Sequence, residues 1–366
     1  MRQLSQIYPV LLLIFGLTGC QSTHPESSLF DSLQYYQQAA SGQLSLLWHR
    51  EPIDNLLNGP DAPEPLQRKL ALAMKARAFA EKQLALPVEG TFSDFVTLDQ
   101  PYVVYNLMVA PEFSLEPLAW CYPVVGCQSY RGYFHLEDAR AARDRYAREG
   151  NDTFIGGVTA YSSLGWFDDP LHTGFTALPD DRMVALMFHE LAHKVVYIAD
   201  DTRFNESFAT AVELEGLKRW LDATGQPDKY QATLAQLSQR RATLALIEQA
   251  AGRLETLYAQ RESLDENILR ERKADILASL ASDYARLEDR WTEPGPLAGV
   301  ITQMNNAVLG LFRQYNSDVP GFRQMLVEAG GDFARFYAQV KVLAGAPADM
   351  RRRQLERLGE SFHEDL

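Results

Sequence analysis

"FHELAHKVVYIADDTRFNESFAT", Phe188 to Thr210, is the stretch that decides how this chain is read. His189 and His193 stand four residues apart with Glu190 beside the first, and Glu206 follows thirteen residues after the second. In a helix, residues four apart lie one turn above another on the same face, so the two imidazoles aim at one point. A tetrahedral zinc ion takes that pair of donors from a helix. Glu190 is turned slightly around the cylinder. Its carboxylate reaches the open side of such a metal without binding it, placed to take a proton from water and return it to a leaving amine. The residues around the motif, "VALMFHELAHKVV", are apolar, and two histidines and a glutamate are costly to bury there without a partner. Two ordinary helices with a chance set of polar residues are the alternative, and they leave Glu190 without a task.

Glu206 is the expected third ligand. Pro179 and two aspartates open the first helix, where the helix dipole favours negative charge. That helix is expected to close near Ile198, "ADDTRF" to turn the chain, and Glu206 to fall in the first turn of the next helix, opposite His193. Glu213 lies on the same face, about 10 Å farther from the turn, and is either an alternative ligand or a group that supports one. Thr210, one turn after Glu206, is a candidate to orient Glu206 or a histidine. Lys194 places a charge directly after the motif and is expected to project away from the metal.

At the N-terminus, "MRQLSQIYPVLLLIFGLTGC" has the order of a bacterial secretory signal: a basic residue, a short apolar run, then a small residue before Cys20. The run is too short to span a membrane comfortably. "LTGC" looks like a lipobox in which Cys20 becomes the lipidated first residue, and by resemblance to bacterial lipoproteins the following Gln21 favours the outer membrane. The chain has 366 residues and a net charge of −13. That acidity argues against nucleic acid, which needs a basic footprint, and against electrostatic adhesion to anionic lipid. The membrane link is therefore expected to be the lipid alone. Cys121 and Cys127, with Pro123 and Gly126 between them, read as a structural disulfide closing a tight loop in an oxidising compartment.

Periodicity predicts a mainly α protein with a small β-sheet. Residues 1–19 form the signal, 20–30 a polar tether, and 31–225 a region holding the sheet and the metal-binding helices. "LEDARAARDRYAREG" is a charged helix stopped by Gly150, and "FIGGVTAYSSLGWFDDPL" a strand with Gly156 and Gly157 at its start. Residues 226–292 are expected to be an antiparallel helical hairpin, broken around Gly252, with a solvated charged face. Residues 293–366 add helices that pack back on the core.

"HELAH" followed by "NESFAT" resembles the gluzincin zinc peptidases, whose second helix carries a glutamate in an N-E-x-F-A context. The wider set "WCYPVVGC", "YRGYF", "GGVTAYSSLGWFDDP", "FHELAHKVVY", "DTRFNESFAT" and "NNAVLGL" resembles a bacterial lipoprotein family described as aminopeptidases. The resemblance implies a zincin-like metallopeptidase core in residues 31–225 and one zinc held by His189, His193 and Glu206. It also implies Glu190 as general base, a peptide or protein substrate, and a periplasm-facing site. The G-x-M-E-N strand with which large aminopeptidases meet a free α-amine is missing. Asp168, Asp169 or Glu213 are the substitutes, although the two aspartates read more simply as solvent-facing turn acids. Tyr161, Tyr197 and Tyr315 are candidates to stabilise an oxyanion; His172, His135 and Asn305 are weaker ones. An envelope endopeptidase and a non-catalytic, zinc-stabilised scaffold are the rival readings.

Overall fold

A computed structural model describes residues 29–60, 62–122, 126–160, 168–314 and 318–363. The signal, Cys20, Tyr161 and Tyr315 lie outside the described residues. Helices make up 62% of the structure and its strands are short, the mainly α architecture with a small β component that the periodicity predicts.

The chain begins with α1 (Leu29–Trp48), β1 (Glu51–Pro52), α2 (Ile53–Asn58) and α3 (Glu64–Leu84). The β-rich part follows: β2 (Asp94–Val96), β3 (Val104–Pro111), β4 (Trp120–Tyr122), β5 (Gly126–Gln128) and β6 (Arg131–Tyr133). Next come α4 (Leu136–Arg148), β7 (Asn151–Val158), β8 (Leu171–His172) and α5 (Thr173–Thr176). The two metal-motif helices are α6 (Asp180–His193) and α7 (Thr202–Ala223), and the hairpin is α8 (Lys229–Tyr258) and α9 (Glu266–Glu288). Four short helices close the chain: α10 (Asn306–Gln314), α11 (Val319–Glu328), α12 (Phe333–Ala344) and α13 (Ala348–Ser361).

The described strands divide among three small sheets, ordered β1-β2-β8, β6-β3-β7 and β4-β5. β3 is the central antiparallel strand of the second, and it is almost continuously buried. Alternate side chains explain why. Tyr105, Leu107 and Val109 pack on Ala139 of α4, whereas Met108 and Ala110 meet Ala307 of α10. α4 stops before Gly150, whose φ of 85° is left-handed, as the sequence predicts. β7 then starts five residues earlier than the glycine pair, so Gly156 and Gly157 sit near its end rather than its start.

The main core is apolar and aromatic, assembled from α3, α6, α7, α11 and α12, with Phe188, Phe204, Phe208, Phe322 and Phe336 fully buried within it. A second cluster lies inside the hairpin, where Ile247, Leu254, Leu269 and Leu280 pack with Leu297 and Leu309. The break in the hairpin differs from the expected one. α8 runs through Gly252 and ends only at Tyr258, and Asp265 then caps α9 by accepting from the Asn267 amide at 2.8 Å. Gly252 is exposed beside the buried stripe Ile247, Ala250, Ala251 and Leu254, so its intrinsic cost of about 1 kcal/mol in a helix is outweighed by packing on either side.

Candidate metal centre

α6 is seated by its apolar positions: Met183, Val184, Met187, Phe188 and Leu191 are all buried. Its first turn is tied to α3 through Asp180, which pairs with Arg68 and Lys69 at 2.7 Å each. The helix ends at His193 itself, five residues before the expected stop. Lys194 is drawn aside, donating to Thr91 Oγ1 at 2.6 Å and to the Glu89 carbonyl at 3.2 Å.

Three side chains fix the turn into α7. Asn205 accepts from the Ile198 amide at 2.9 Å and donates to the Ile198 carbonyl at 2.8 Å, a reciprocal clamp on the loop. Asp201 caps α7 by accepting from the Phe204 amide at 3.1 Å and pairs with Arg351 of α13. Asp200, at a left-handed φ of 66°, accepts from the Cys127 amide. That last bond docks the β4–β5 hairpin, whose paired residues Cys121 and Cys127 are joined through their sulfurs, against the metal loop.

These supports bring together the residues that the motif spacing singles out. His189 Nε2 lies 3.3 Å from His193 Nε2 and 3.4 Å from Glu206 Oε2, and His193 Nε2 lies 3.7 Å from Glu206 Oε1. One donor atom from each of the three falls within 4.8 Å of the others. Glu206 occupies the second turn of α7 rather than its first. Behind the group, Glu213 Oε2 is 3.1 Å from His189 Nδ1, and its other oxygen is 3.7 Å from Arg182. A carboxylate there places the proton on Nδ1 and turns the Nε2 lone pair toward Glu206 and His193. Glu213 is thus the support for a ligand, two turns from the convergence point.

Charge follows from this packing. Burial works against protonating His189, but hydrogen bonds to Glu206 and Glu213 overcome it and hold the imidazole well above its ordinary value. Burial likewise opposes ionising Glu206 and Glu213, yet contact with His189 keeps both carboxyls below the usual range. Without a metal, His189 is therefore cationic and donates from both nitrogens; a metal held there would take the place of the Nε2 proton and leave the Nδ1 proton donated to Glu213. Two imidazoles and a carboxylate are borderline donors suited to a divalent ion of the zinc class, and their convergence fits one. His193 is lowered to about 4 by burial and by the nearby His189, which keeps the ring neutral, with one nitrogen carrying a proton and the other a lone pair. Burial raises Glu190 to about 7; His189 opposes that rise, and the carboxylates of Glu206, Asp169 and Glu213 add to it. A carboxyl poised near neutrality is suited to exchanging protons.

The remaining candidates separate by position. The Tyr197 hydroxyl accepts from Gln128 Nε2 at 3.2 Å, and its pKa is raised by burial and by the nearby Glu206. Thr210 is buried one turn beyond Glu206, but among the described residues it makes no hydrogen bond to Glu206 or to either histidine. Asp169 corrects the expectation of a solvent-facing turn acid: it is buried, 4% exposed, and within electrostatic reach of Glu190, while Asp168 is exposed. His172 is buried on β8 and its Nδ1 accepts from the Gly174 amide at 3.2 Å, and His135 is exposed at the start of α4. Asn305 donates to the Thr153 carbonyl and accepts from the Val308 amide, so it joins α10 to β7.

Two residues near the site lie in quoted motifs, Tyr130 in "YRGYF" and Asn205 in "NESFAT", but the motifs give neither of them a task. Tyr130 is raised by burial and then by Glu206, Tyr197 and Glu190, which places its ring among the reactive groups. Asn205 stands next to Glu206 in "NESFAT", yet its partner Ile198 is set by how the loop folds.

No curated protein and no solved structure matches the chain. Over residues 34–355 it matches the model of the family described as "putative aminopeptidase", and the chain belongs to that family of peptidase-like proteins.

Proposed function

We propose that this protein is a zinc-dependent peptidase of the bacterial envelope, with His189, His193 and Glu206 as metal ligands and Glu190 as general base. The observation that carries the reading is the convergence of three donor atoms within 4.8 Å, with Glu213 fixing His189 from behind. Bound there, zinc supplies the Lewis acidity that activates water and polarises a peptide carbonyl. Glu190 takes the proton and returns it to the departing amine, the task that its place beside His189 on α6 gives it. Tyr197 and Tyr130, both within electrostatic reach of Glu206, are the candidate donors for developing negative charge. Aminopeptidase action requires a carboxylate for the substrate's α-amine. Asp169, buried and within electrostatic reach of Glu190, is the candidate, since Glu213 holds His189 and lies beside Arg182. The lipobox at Cys20 supports an outer-membrane location facing the periplasm.

The test is metal content and peptide hydrolysis together. The wild-type chain is expected to carry about one zinc, His193→Ala to lose it, and Glu190→Gln to keep it while activity falls by about 10²–10⁴-fold. Full activity in Glu190→Gln would overturn the mechanism. Peptides with acetylated N-termini separate the two peptidase classes: an aminopeptidase leaves them intact, whereas an endopeptidase cuts them.

A further inference from the structure

We propose that the outer face of α1 rests on a lipid surface. The helix is attached to the body chiefly along one side, and at the start of its outer face Tyr36 meets the Tyr122 ring edge-on at 6.3 Å. Gln38 donates to the Gly132 carbonyl at 3.2 Å and accepts from the Phe134 amide at 3.1 Å. Gly42 lies where any Cβ would run into the Phe134 ring, and the Arg131 guanidinium sits 3.8 Å from the centre of the Tyr35 ring. Positions 35, 38 and 42 recur every three or four residues and so mark the inward stripe.

The opposite side carries a ridge of residues four apart, Tyr36, Ala40, Leu44 and Trp48, flanked by the uncharged polar Gln37, Ser41 and Ser45. All are exposed, the three large ones by 47%, 64% and 86%. Asp31 is the only charged residue in the helix, although 23% of the whole chain is charged. A helix with one face in water ordinarily carries charge on that face. Elsewhere among the described residues, exposed large apolar side chains occur singly on separate elements. Single ones need no explanation, but a ridge of them does.

The chain leading into α1 identifies the occupant. Eight residues separate Cys20 from Leu29, so the chain between them reaches about 30 Å at full extension, comparable with the length of α1 itself. A lipid on Cys20 therefore keeps the helix beside the membrane. Tyrosine and tryptophan are the side chains that settle at a membrane–water boundary, with an apolar body and a polar tip. No helix of the described residues is long and apolar enough to cross a membrane, so α1 lies along the surface. With an uncharged face on a chain of net charge −13, attachment is apolar, independent of anionic lipid and insensitive to salt. This inference rests on the proposed lipid at Cys20.

The experiment uses the full chain purified from membranes and reconstituted into phosphatidylcholine vesicles, with mass spectrometry of the N-terminal peptide to read lipid on Cys20. Nitroxides are placed through Leu44→Cys and Trp48→Cys, with Val342→Cys, at an exposed position of α12, as the control. Collisions with a water-soluble nickel complex are expected to be several-fold rarer at 44 and 48 than at 342, and collisions with oxygen more frequent. Equal nickel access at all three positions on a lipidated chain would overturn the lipid face and leave the anchor standing. Protected labels on an unmodified Cys20 would support the face and reject the anchor. Spectral broadening at 44 that disappears on dilution with unlabelled chain would show a second copy on the ridge and overturn the proposal.

Discussion

Glu213 decides more about this site than its distance from the ligands suggests. Its hydrogen bond to His189 Nδ1 sets both the tautomer and the direction of the ring. Glu213→Gln keeps the shape but removes the charge, and metal affinity is expected to fall about 10–100-fold in a chelator competition while the far-ultraviolet spectrum is unchanged. Unaltered affinity would show that His189 is oriented by packing alone. His172 gives a separate prediction at the same scale. Burial lowers it from 6.5 to about 4, so between those values the unfolded chain binds a proton that the folded chain refuses. Stability is full above about pH 6.5, falls as the pH drops, and levels off below about 4, a loss of up to about 3 kcal/mol. In His172→Asn the side-chain oxygen can still accept from Gly174, and urea titrations at pH 7 and pH 5 should show a smaller difference than in the wild type. The spacing around His189 makes the ligand convergence legible, because a helix fixes it locally. The burial of Asp169 and His172 is not legible, since each depends on what other segments bring over it.

Among the elements, the hairpin shows where pattern reading stops. α8 and α9 present many charges, and a solvated face is the natural inference. Lys273 departs from it: buried, it donates to Asp152 Oδ2 of β7 at 2.6 Å and to the Glu112 carbonyl at 2.8 Å. The same Asp152 oxygen accepts from the Asn306 amide, and Tyr258 donates to Asn306 Oδ1. One buried polar network thus joins the hairpin, α10 and the edge of the β3 sheet. Lys273→Met leaves Asp152 short of its charged partner and is expected to cost about 3 kcal/mol, with amide exchange rising first in α9. Uniform loss of protection across the chain would mean that the hairpin does not open separately. Nothing in the local sequence distinguishes Lys273 from its exposed neighbours, because its partners lie more than a hundred residues away.

Across the molecule, the candidate metal site is a seam in the main core. α6 supplies two imidazoles, α7 two carboxylates, and the β4–β5 hairpin and α13 hold the loop between them. A metal bound there crosslinks α6 to α7 and should stabilise the whole fold. At a free zinc concentration one hundred times Kd the gain is about 2.7 kcal/mol, so chelation should lower Tm and added zinc restore it. A Tm indifferent to both would remove the structural role of the metal.

The sequence by itself determined the features that depend on short separations. Residues four apart share a helix face, so His189 and His193 converge whatever surrounds them; Gly150 stops a helix because of its own backbone freedom. Apolar periodicity likewise fixed the helical class. Only the tertiary structure decided that Glu213 backs His189, that Asp169 lies buried near Glu190, and that Asn205 clamps Ile198. It also decided which side of α1 is left exposed. These are relations across space, in which desolvation and ion pairing act between segments that the linear order keeps apart.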